Sequence, residues 1–309
     1  MLSLKDKEVA ILMATYQGQD YILEQLSSIA AQSYPHWKLY VSDDGSKDNT
    51  LEIIKAFSLE NKITIPVYKG PEQGFVKNFL TMLSCNDIKG EYFAFSDQDD
   101  VWHTNKLEKA LQWFEKIPAS TPALYCTRTH LIDSEGKSIG HSPLFTRQPA
   151  FSNALIQSIG GGNTMVINKA ARDIIVKAGI VDVISHDWWM YILISGAGGK
   201  VFHDIESTLD YRQHQGNLIG SNLGLKAKLL RLEKIFQGQY KDWNEKHIRS
   251  IDKNIDILSV QNRKKYYLFK EIHTGSFLKR MSAYFKLGLY RQSKMDSVGI
   301  FVSALFKKL

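Results

Sequence analysis

Short apolar segments alternate with amphipathic segments through the first two thirds of the 309-residue chain. The first, Val9–Ala14, is apolar at every position, which is typical of a parallel strand buried on both faces. In the stretch that follows, Ile22, Leu26 and Ile29 recur at helical spacing. The alternation predicts strands at Val9–Ala14, Lys38–Ser42, Ile63–Tyr68, Tyr92–Ser96, Ala123–Thr127, Thr164–Asn168 and Val201–His203. It predicts helices at Gln19–Ser33, Asn49–Glu60, Phe75–Leu83, Asn105–Lys116, Lys169–Ala178 and His186–Ser195.

Strands that alternate with helices at this spacing form right-handed βαβ units. The pattern therefore predicts an α/β protein with a mostly parallel sheet flanked by helices. In open sheets of this kind, ligands bind beyond the carboxyl ends of the strands. The residues expected there are mostly polar or acidic: Thr15–Gln17, Ser42–Gly45, Asp97–Asp100 and Gly160–Asn163. We expect this edge to carry the functional site.

Beyond Gly224 the strand pattern ends and apolar residues recur at helical spacing: Leu225, Leu229, Leu232 and Phe236, then Ile251, Ile255 and Leu258. In Phe277–Leu289 one predicted face carries Phe277, Leu278, Met281, Tyr284, Phe285 and Leu289, while Lys279, Arg280 and Lys286 lie on the other and Leu287 falls outside the apolar stripe. An aromatic, basic, amphipathic helix suits a membrane interface. The alternative is a helix that packs on the body or against a second copy in a homo-oligomer.

The positive charge is concentrated in this tail. The whole chain has a net charge of +7, but residues 224–309 carry 19 Lys and Arg against 7 Asp and Glu, and residues 1–223 carry 20 against 25. An acidic body with a basic tail suits an anionic partner, either a membrane surface or nucleic acid. The alternative is a solvated helical surface without a partner.

Composition excludes several classes of protein. The 44% hydrophobic and 23% charged residues are ordinary globular values, which exclude disordered and collagen-like chains. The two cysteines, Cys85 and Cys126, lie outside any CxxC or His/Cys cluster, so neither a disulfide framework nor a structural zinc site is expected. The charged N-terminus and the lack of a long apolar run predict neither a signal peptide nor a membrane span.

The acidic turn Asp97-Gln98-Asp99-Asp100 follows a buried strand. Three neighbouring carboxylates repel one another, and a cation relieves that repulsion. Mg²⁺ and Mn²⁺ prefer hard oxygen ligands and take the remaining ligands from water and phosphate groups. Because Asp97 and Asp99 point the same way in an extended backbone, both can reach one ion. The alternative is a surface turn in which Asp100 caps the next helix.

A second acidic pair, Asp43-Asp44, also follows a predicted strand. These carboxylates can accept hydrogen bonds from a nucleobase imide or a ribose hydroxyl, although an ordinary Asp-Gly turn is the alternative. The chain contains no GxxxxGK[ST], and its two GxG segments, Gly160–Gly162 and Gly196–Gly198, lack the third glycine of the dinucleotide fingerprint. A bound nucleotide therefore needs something other than a glycine loop to neutralise its phosphates.

Taken together, four motifs resemble the family-two glycosyltransferases of the GT-A fold: ILMATYQGQDYILEQLSSIAAQSY, VSDDGSKDNT, EQGFVKNF and FSDQDDVW. HDWW (186–189) and YRQHQGNLIG (211–220) resemble the branch with bacterial rhamnosyltransferases of cell-wall polysaccharide synthesis. The resemblance covers about residues 8–221. It implies a GT-A catalytic domain over residues 1–223, followed by a basic helical C-terminal region over residues 224–309.

The resemblance also implies how a nucleotide-sugar donor is held. Ala14 and Tyr16 would line the nucleobase pocket, and Asp44, with Asp43 beside it, would hold the base. Three further residues would serve the diphosphate and the metal: Asp97 near the ribose or diphosphate, Asp99 on the divalent ion, and His214 near both. From the residues alone, the segment that contains His214 is also typical of a strand whose Arg212 pairs with a carboxylate.

The same resemblance makes Asp187 the catalytic base and places Gly161, Gly162 and Asn163 in a loop where the acceptor meets the donor. The alternative for Asp187 is an acidic residue at a helix N-terminus, stabilised by the helix dipole, with the neighbouring tryptophans in the core.

The activity implied is inverting, metal-dependent transfer of L-rhamnose from dTDP-L-rhamnose to a lipid-linked, rhamnose-containing acceptor, with Mg²⁺ or Mn²⁺. We expect the enzyme on the cytoplasmic face of the plasma membrane, where the tail contacts anionic lipid, and we expect no nucleic-acid partner. The alternatives are a UDP-hexose donor and a non-catalytic binding subunit. The retention of Asp97, Asp99 and Asp187 argues against the second.

Overall fold

The computed structural model describes residues 7–214 and 239–309. Within these ranges the strands are β1 Val9–Thr15, β2 Trp37–Asp43, β3 Val67–Lys69, β4 Tyr92–Ser96, β5 Val101–Trp102, β6 Ala123–Thr127, β7 His130–Ile132, β8 Ser138–His141, β9 Val166–Asn168, β10 Lys200–Asp204 and β11 Leu209–Arg212. The helices are α1 Ile22–Ala30, α2 Thr50–Glu60, α3 Phe75–Ser84, α4 Lys106–Phe114, α5 Phe151–Ala154, α6 Lys169–Ala178, α7 His186–Gly196, α8 Gln239–Asp252, α9 Val260–Thr274, α10 Phe277–Leu287 and α11 Lys294–Leu305.

A seven-stranded sheet forms the centre, in the order β10-β6-β9-β4-β1-β2-β3. β1 pairs in parallel with β2 and β4, and β2–β3 and β6–β10 are also parallel pairs. β9 runs antiparallel to both neighbours. The mostly parallel sheet predicted from the strand–helix alternation is therefore present, with one reversed strand.

Both faces of this sheet are covered, which explains why its strands are apolar at consecutive positions. In β1, Ala10 and Leu12 enter one hydrophobic core, whereas Val9, Ile11 and Met13 enter the other. Side chains alternate between the two faces of a strand, so a strand with helices on both sides needs apolar residues at every position.

The predicted segment Ile63–Tyr68 forms only the three-residue strand β3 at Val67–Lys69. A second sheet, β5-β11-β7-β8, was not predicted. Its strands are two to four residues long and include polar residues that contact each other, as where Asp210 of β11 approaches His130 of β7 at 2.8 Å. Strands this short lack the alternation from which periodicity predicts a strand.

The C-terminal helices pack against the body of the protein, and Tyr266, Phe269 and Leu287 share a core with Trp189 of α7. Residues Leu225, Leu229, Leu232 and Phe236 lie outside the described residues, as does the predicted boundary at 223/224, which stays a prediction. In the described ranges, no helix combines the length and the apolarity needed to span a membrane.

The predicted faces of Phe277–Leu289 need correction. The helix ends at Leu287, before Gly288 in the left-handed region at φ 65°. Leu287, predicted outside the apolar stripe, is buried, and so is Arg280, predicted on the outward polar face. Packing selects this face, because the Arg280 guanidinium donates to the Leu305 carbonyl at 3.2 Å. As a result Phe277 and Phe285, two aromatic rings of the predicted stripe, are exposed.

Candidate functional site

The carboxyl ends of β2, β1 and β4 lie side by side at one edge of the central sheet. β1 is the middle strand, so Ala14 near its end and Tyr16 directly after it lie between the acidic turns after β2 and β4. Tyr16 is 58% exposed, and its backbone N–H donates to Gln98 Oε1 at 2.8 Å. The fold thus gathers the residues that were expected at this edge.

Asp43 and Asp44 have different surroundings. Asp43 is buried and accepts hydrogen bonds from the Thr15 hydroxyl at 2.9 Å and the Ser46 N–H at 2.8 Å. Asp44 is half-buried and accepts from the N–H groups of Glu72 at 2.7 Å and Gly74 at 2.8 Å. Asp43 therefore builds the Asp-Gly turn, and Asp44 joins it to the loop before α3.

Asp99 and His214 form a close pair beside Asp97. His214 Nε2 lies 2.9 Å from Asp99 Oδ2, and the His214 ring is 4.8 Å from that of Tyr21, centre to centre. Burial raises the pKa of Asp97 to about 7, and the charges of Asp99 and Asp187 act in the same direction. The carboxylates predicted for the metal and for the base therefore lie close enough to influence one another.

The donor atoms of this group suit a divalent cation. Carboxylate oxygens from Asp97 and Asp99 and an imidazole nitrogen from His214 are ligands that Mn²⁺ and Mg²⁺ accept. Among the described residues, no three His, Cys, Asp or Glu side chains are already arranged around a metal position. An ion here would therefore take its remaining ligands from water and phosphate oxygens, as Mg²⁺ usually does.

A cavity of about 820 Å³ opens beside this pair. Of the predicted site residues, Asp99 and His214 line it. Its other lining residues are Gln17, Gly18, Asp20, Tyr21, Gln98, Ser134 and Gln213. The cavity is large enough for a small-molecule ligand.

Asp187 lies in the first turn of α7 and is 8% exposed. Its Oδ1 accepts hydrogen bonds from the Ser185 hydroxyl and from the Trp188 N–H at 2.5 Å, and its Oδ2 accepts from the Gly162 N–H at 3.1 Å. Trp188 and Trp189 are buried, as the alternative reading of this segment predicted. The same residue is thus both a helix N-terminal acid and a direct contact of the glycine loop.

The loop Gly161–Asn163 overlaps a 3₁₀ turn at Gly162–Thr164, next to α7. A side chain at Gly162 would put its Cβ 2.4 Å from His186 Nε2, so only glycine fits against the ring without a shift. The Asn163 amide donates to Asp100 Oδ2 at 2.6 Å. The loop therefore connects the Asp187 side of the site to the acidic turn after β4.

Residues 10–174 match the sequence model of glycosyl transferase family 2. The chain belongs to this family. It is 31% identical over 235 residues to the dTDP-rhamnosyl transferase RfbG of Shigella flexneri, a match that covers 71% of this chain and 78% of that protein.

Two solved structures show the same fold. TarS of S. aureus, in complex with UDP-GlcNAc, has a TM-score of 0.53 at 16% identity and covers 92% of this chain and 93% of its own. The mannosyltransferase PcManGT of Pyrobaculum calidifontis, in complex with GDP-Man and Mn²⁺, has a TM-score of 0.52 at 16% identity and covers 97% and 85%. The GT-A fold expected from the motifs is thereby confirmed.

Three buried residues near the candidate site were not predicted to belong to it: Lys106, Ser185 and Asp100. Asp100 had been considered only as a cap for the next helix. Asp100 does not cap α4; it accepts from Asn163 and from the Arg212 N–H at 3.3 Å. Burial raises its pKa well above the usual range, helped by the charges of Asp99 and Asp97. For Lys106 a signal existed, since it lies at helical spacing with the buried residues Ala110 and Phe114.

Arg212 fulfils the alternative prediction for its segment. It lies in β11, its guanidinium pairs with Glu24 at 2.5 Å, and its Nε donates to the Asp99 carbonyl at 3.1 Å. His214 follows β11 and lies next to Asp99. The segment therefore forms a strand with a paired arginine, and it also places His214 beside the acidic turn.

Proposed function

We propose that the chain is an inverting glycosyltransferase that takes a sugar from a nucleoside diphosphate and adds it to a saccharide hydroxyl. The observation that carries this proposal is the arrangement around Asp97. Burial raises the pKa of Asp97, and the charges of Asp99, which pairs with His214, and of Asp187 add to that shift, so all of these groups lie near one another. The Asp99–His214 pair suits the leaving diphosphate, and Asp187 suits removal of a proton.

Asp187 is the proposed base. As the acceptor oxygen forms its bond to the anomeric carbon, the bond from that carbon to the phosphate oxygen breaks, and its electron pair leaves with the nucleoside diphosphate. The acceptor proton passes to the Asp187 carboxylate, which Ser185 and Gly162 hold in orientation. A single displacement from the opposite face inverts the anomeric centre.

Asp99, Asp97 and His214 serve the departing group in this proposal. A divalent cation bound there, Mg²⁺ or Mn²⁺, supplies stabilisation of the negative charge that develops on the diphosphate. Arg212 keeps these residues in place, because its guanidinium holds the Asp99 backbone and His214 follows two residues after it at the end of β11. Ala14, Tyr16, Asp43 and Asp44 are proposed for the nucleobase end of the donor.

For the donor we propose dTDP-L-rhamnose and for the acceptor a lipid-linked, rhamnose-containing saccharide of cell-wall or capsular polysaccharide synthesis. The support is the similarity to RfbG, whose name describes a dTDP-rhamnosyl transferase. A UDP-hexose is the second candidate, because TarS was solved with UDP-GlcNAc.

A lipid-linked acceptor requires the enzyme to work at a membrane, and the C-terminal helices offer a surface for it. α10 and α11 pack side by side, with the rings of Phe285 and Phe301 6.0 Å apart. Six large apolar side chains on this pair are each more than half exposed: Phe277, Leu278, Phe285, Met295, Val298 and Phe306. Exposed lysines accompany them: Lys279, Lys286, Lys294, Lys307 and Lys308. We call these eleven residues the apolar–basic face.

Exposed apolar clusters of this size mark an interaction surface. The lysines select an anionic partner, and an amphipathic surface that combines lysine with aromatic rings suits the boundary of an anionic bilayer. We therefore propose that the apolar–basic face rests on the cytoplasmic leaflet of the plasma membrane. Point substitutions test this better than truncation, because Tyr284, Leu287 and Ile300 of the same helices belong to the core.

The membrane test is sedimentation with vesicles of phosphatidylcholine alone or mixed with phosphatidylglycerol. We expect binding to the mixed vesicles only, weakened by salt and lost in the double variant Leu278→Ser/Phe285→Ser. Leu59→Ser is the matched control, since Leu59 is 70% exposed on α2, away from this face. Equal sedimentation of both variants contradicts the proposal, and so does a dimer in solution that the double variant disrupts without any vesicle binding.

The reaction itself is tested with a donor panel of dTDP-L-rhamnose and common UDP-sugars, by nucleotide release with and without EDTA. We expect turnover with dTDP-L-rhamnose and its loss in EDTA, restored by Mn²⁺ or Mg²⁺. Turnover that persists in chelator contradicts metal dependence. The absence of turnover with every donor favours a non-catalytic subunit.

A further inference from the structure

Lys106 is buried at the first position of α4, where a lysine is unfavourable for two reasons. Its side chain is 1% exposed, so the ammonium group has lost most of its hydration. A positive charge at a helix N-terminus also opposes the helix dipole. Methionine has a similar length and would fill the same space without a charge. The cation must therefore be held by particular partners.

Those partners are the loop Gly161–Asn163, which we call the acceptor loop, and the acidic turn Asp97–Asp100. Lys106 Nζ donates to the Asn163 carbonyl at 2.8 Å and lies 4.7 Å from the centre of the Trp102 ring. Burial lowers the pKa of Lys106 to about 7, and the charges of Asp100 and Asp97 oppose that shift. The ammonium group thus binds the loop through one carbonyl, and the charges of two nearby carboxylates favour its protonated form.

Asn163 links the two ends of the site. Its carbonyl accepts from Lys106, and its side-chain amide donates to Asp100, which directly follows Asp99 in the chain. The residue before it, Gly162, donates its N–H to Asp187 at 3.1 Å. A continuous chain of contacts therefore runs from Asp100 of the acidic turn through Asn163 and Gly162 to the proposed base, and Lys106 holds this chain at the Asn163 carbonyl.

We propose that Lys106 is a positioning residue for glycosyl transfer, which fixes the acceptor loop against both the acidic turn and Asp187. The inference rests on the proposed function. Without the ammonium group the buried Asn163 carbonyl loses its hydrogen-bond donor. The loop that carries Gly162 then loses one of the contacts that fix its position. A displacement of about 1 Å in a catalytic group lowers a rate by about 100-fold.

The test compares Lys106→Met with Lys109→Met, a matched control in the same helix whose ammonium group pairs with Glu206 at the surface. For Lys106→Met we expect kcat to fall by about 100-fold. KM for the donor and the dissociation constant for the nucleoside diphosphate should change less than about threefold, since the cavity beside Asp99 is untouched. The control should keep kcat within about twofold of wild type.

Asn163→Ala and the double variant Lys106→Met/Asn163→Ala complete the cycle. Asn163→Ala keeps the backbone carbonyl that accepts from Lys106 and removes the side-chain bond to Asp100. Because the two links hold the same loop, the double variant should lose less kcat than the product of the two single losses. Lys106→Gln, which removes the charge and keeps an N–H donor, is measured alongside in case the methionine variant does not fold. Its kcat should also fall.

Amide hydrogen exchange over residues 160–165 gives a readout that does not depend on turnover. We expect faster exchange in Lys106→Met and unchanged exchange in Lys109→Met. Unchanged loop exchange in the folded Lys106 variants overturns the inference, and so does a kcat within threefold of wild type. If the wild-type enzyme transfers no sugar while the loop still loosens, the proposed function fails and the positioning of the loop by Lys106 stands.

Discussion

The backbone N–H of Gly162 donates to the Asp187 carboxylate at 3.1 Å, so the glycine loop and the proposed base are held as one unit. The loop is in turn confined by the His186 ring, which stacks on Phe79 with the ring centres 4.2 Å apart. Small changes in this loop should therefore reach the chemistry through Asp187.

Gly162→Ala should slow transfer. The new Cβ would lie 2.4 Å from His186 Nε2 and 2.8 Å from its Cε1, and the packed ring cannot turn away. Overpacking of this kind costs about 1–3 kcal/mol, which corresponds to a loss of about fivefold to 150-fold in kcat if the strain displaces Asp187. Steady-state kinetics and thermal unfolding measure the two effects.

Gly299→Ala is the control for that substitution, because Gly299 lies in α11 with nothing within 4 Å of an added Cβ. It should keep the wild-type kcat. A Gly162→Ala enzyme with wild-type kcat would show that the contact between the loop and Asp187 has no catalytic importance.

Asp187→Asn should abolish proton removal while the fold and the donor site persist. General base catalysis contributes about 10²–10⁴-fold, so kcat should fall by that factor with little change in donor affinity. Ser185→Ala keeps the carboxylate and removes one of its hydrogen bonds, so its loss should be smaller. Near-normal transfer by the asparagine enzyme would remove Asp187 from the mechanism.

His247 should make the fold sensitive to acid. Burial lowers its pKa from 6.5 to about 4, and neither ring nitrogen has a hydrogen-bond partner among the described residues. The folded state therefore resists protonation that the unfolded state accepts. The free energy of unfolding should fall as the pH drops from about 6.5 to 4, by at most about 3 kcal/mol from this group.

His247→Phe should remove that part of the pH dependence, because a phenyl ring cannot be protonated and can still pack edge-on against Trp188. Urea unfolding between pH 7.5 and 4 measures the slope. Parallel curves for the two proteins would mean that His247 is not protonated on unfolding in this range.

Strands and helices with a regular pattern of apolar residues along the chain could be predicted from the sequence. β1 and β4 could be predicted because burial on both faces requires an apolar residue at every position, as in Val9–Ala14 and 92–95. The acidic turns could be placed at one edge because parallel strands share a carboxyl end. The metal role of Asp97 and Asp99 was already indicated by the clustered carboxylates, whereas the roles assigned to Asp187 and His214 came from the resemblance.

The buried face of α10 and the contacts of Lys106 could not be predicted from the sequence, because both depend on tertiary packing. The buried side of α10 was wrong for Arg280 and Leu287, because contact with α11 chose a face that the apolar stripe did not mark. Lys106 was not predicted as a site residue, although its spacing with Ala110 and Phe114 indicated burial. Its partner Asn163 lies 57 residues away along the chain, and no local pattern reports such a contact.

The central claim is that the acidic turn after β4 holds a divalent cation that serves the leaving diphosphate. Electron paramagnetic resonance of Mn²⁺, titrated with a nucleoside diphosphate, tests it in wild type, in Asp99→Ala and in the control Asp173→Ala, whose carboxylate is exposed on α6. We predict that nucleotide-dependent Mn²⁺ binding occurs in wild type and in the control and weakens at least tenfold in Asp99→Ala. Equal Mn²⁺ binding by all three proteins would contradict the account.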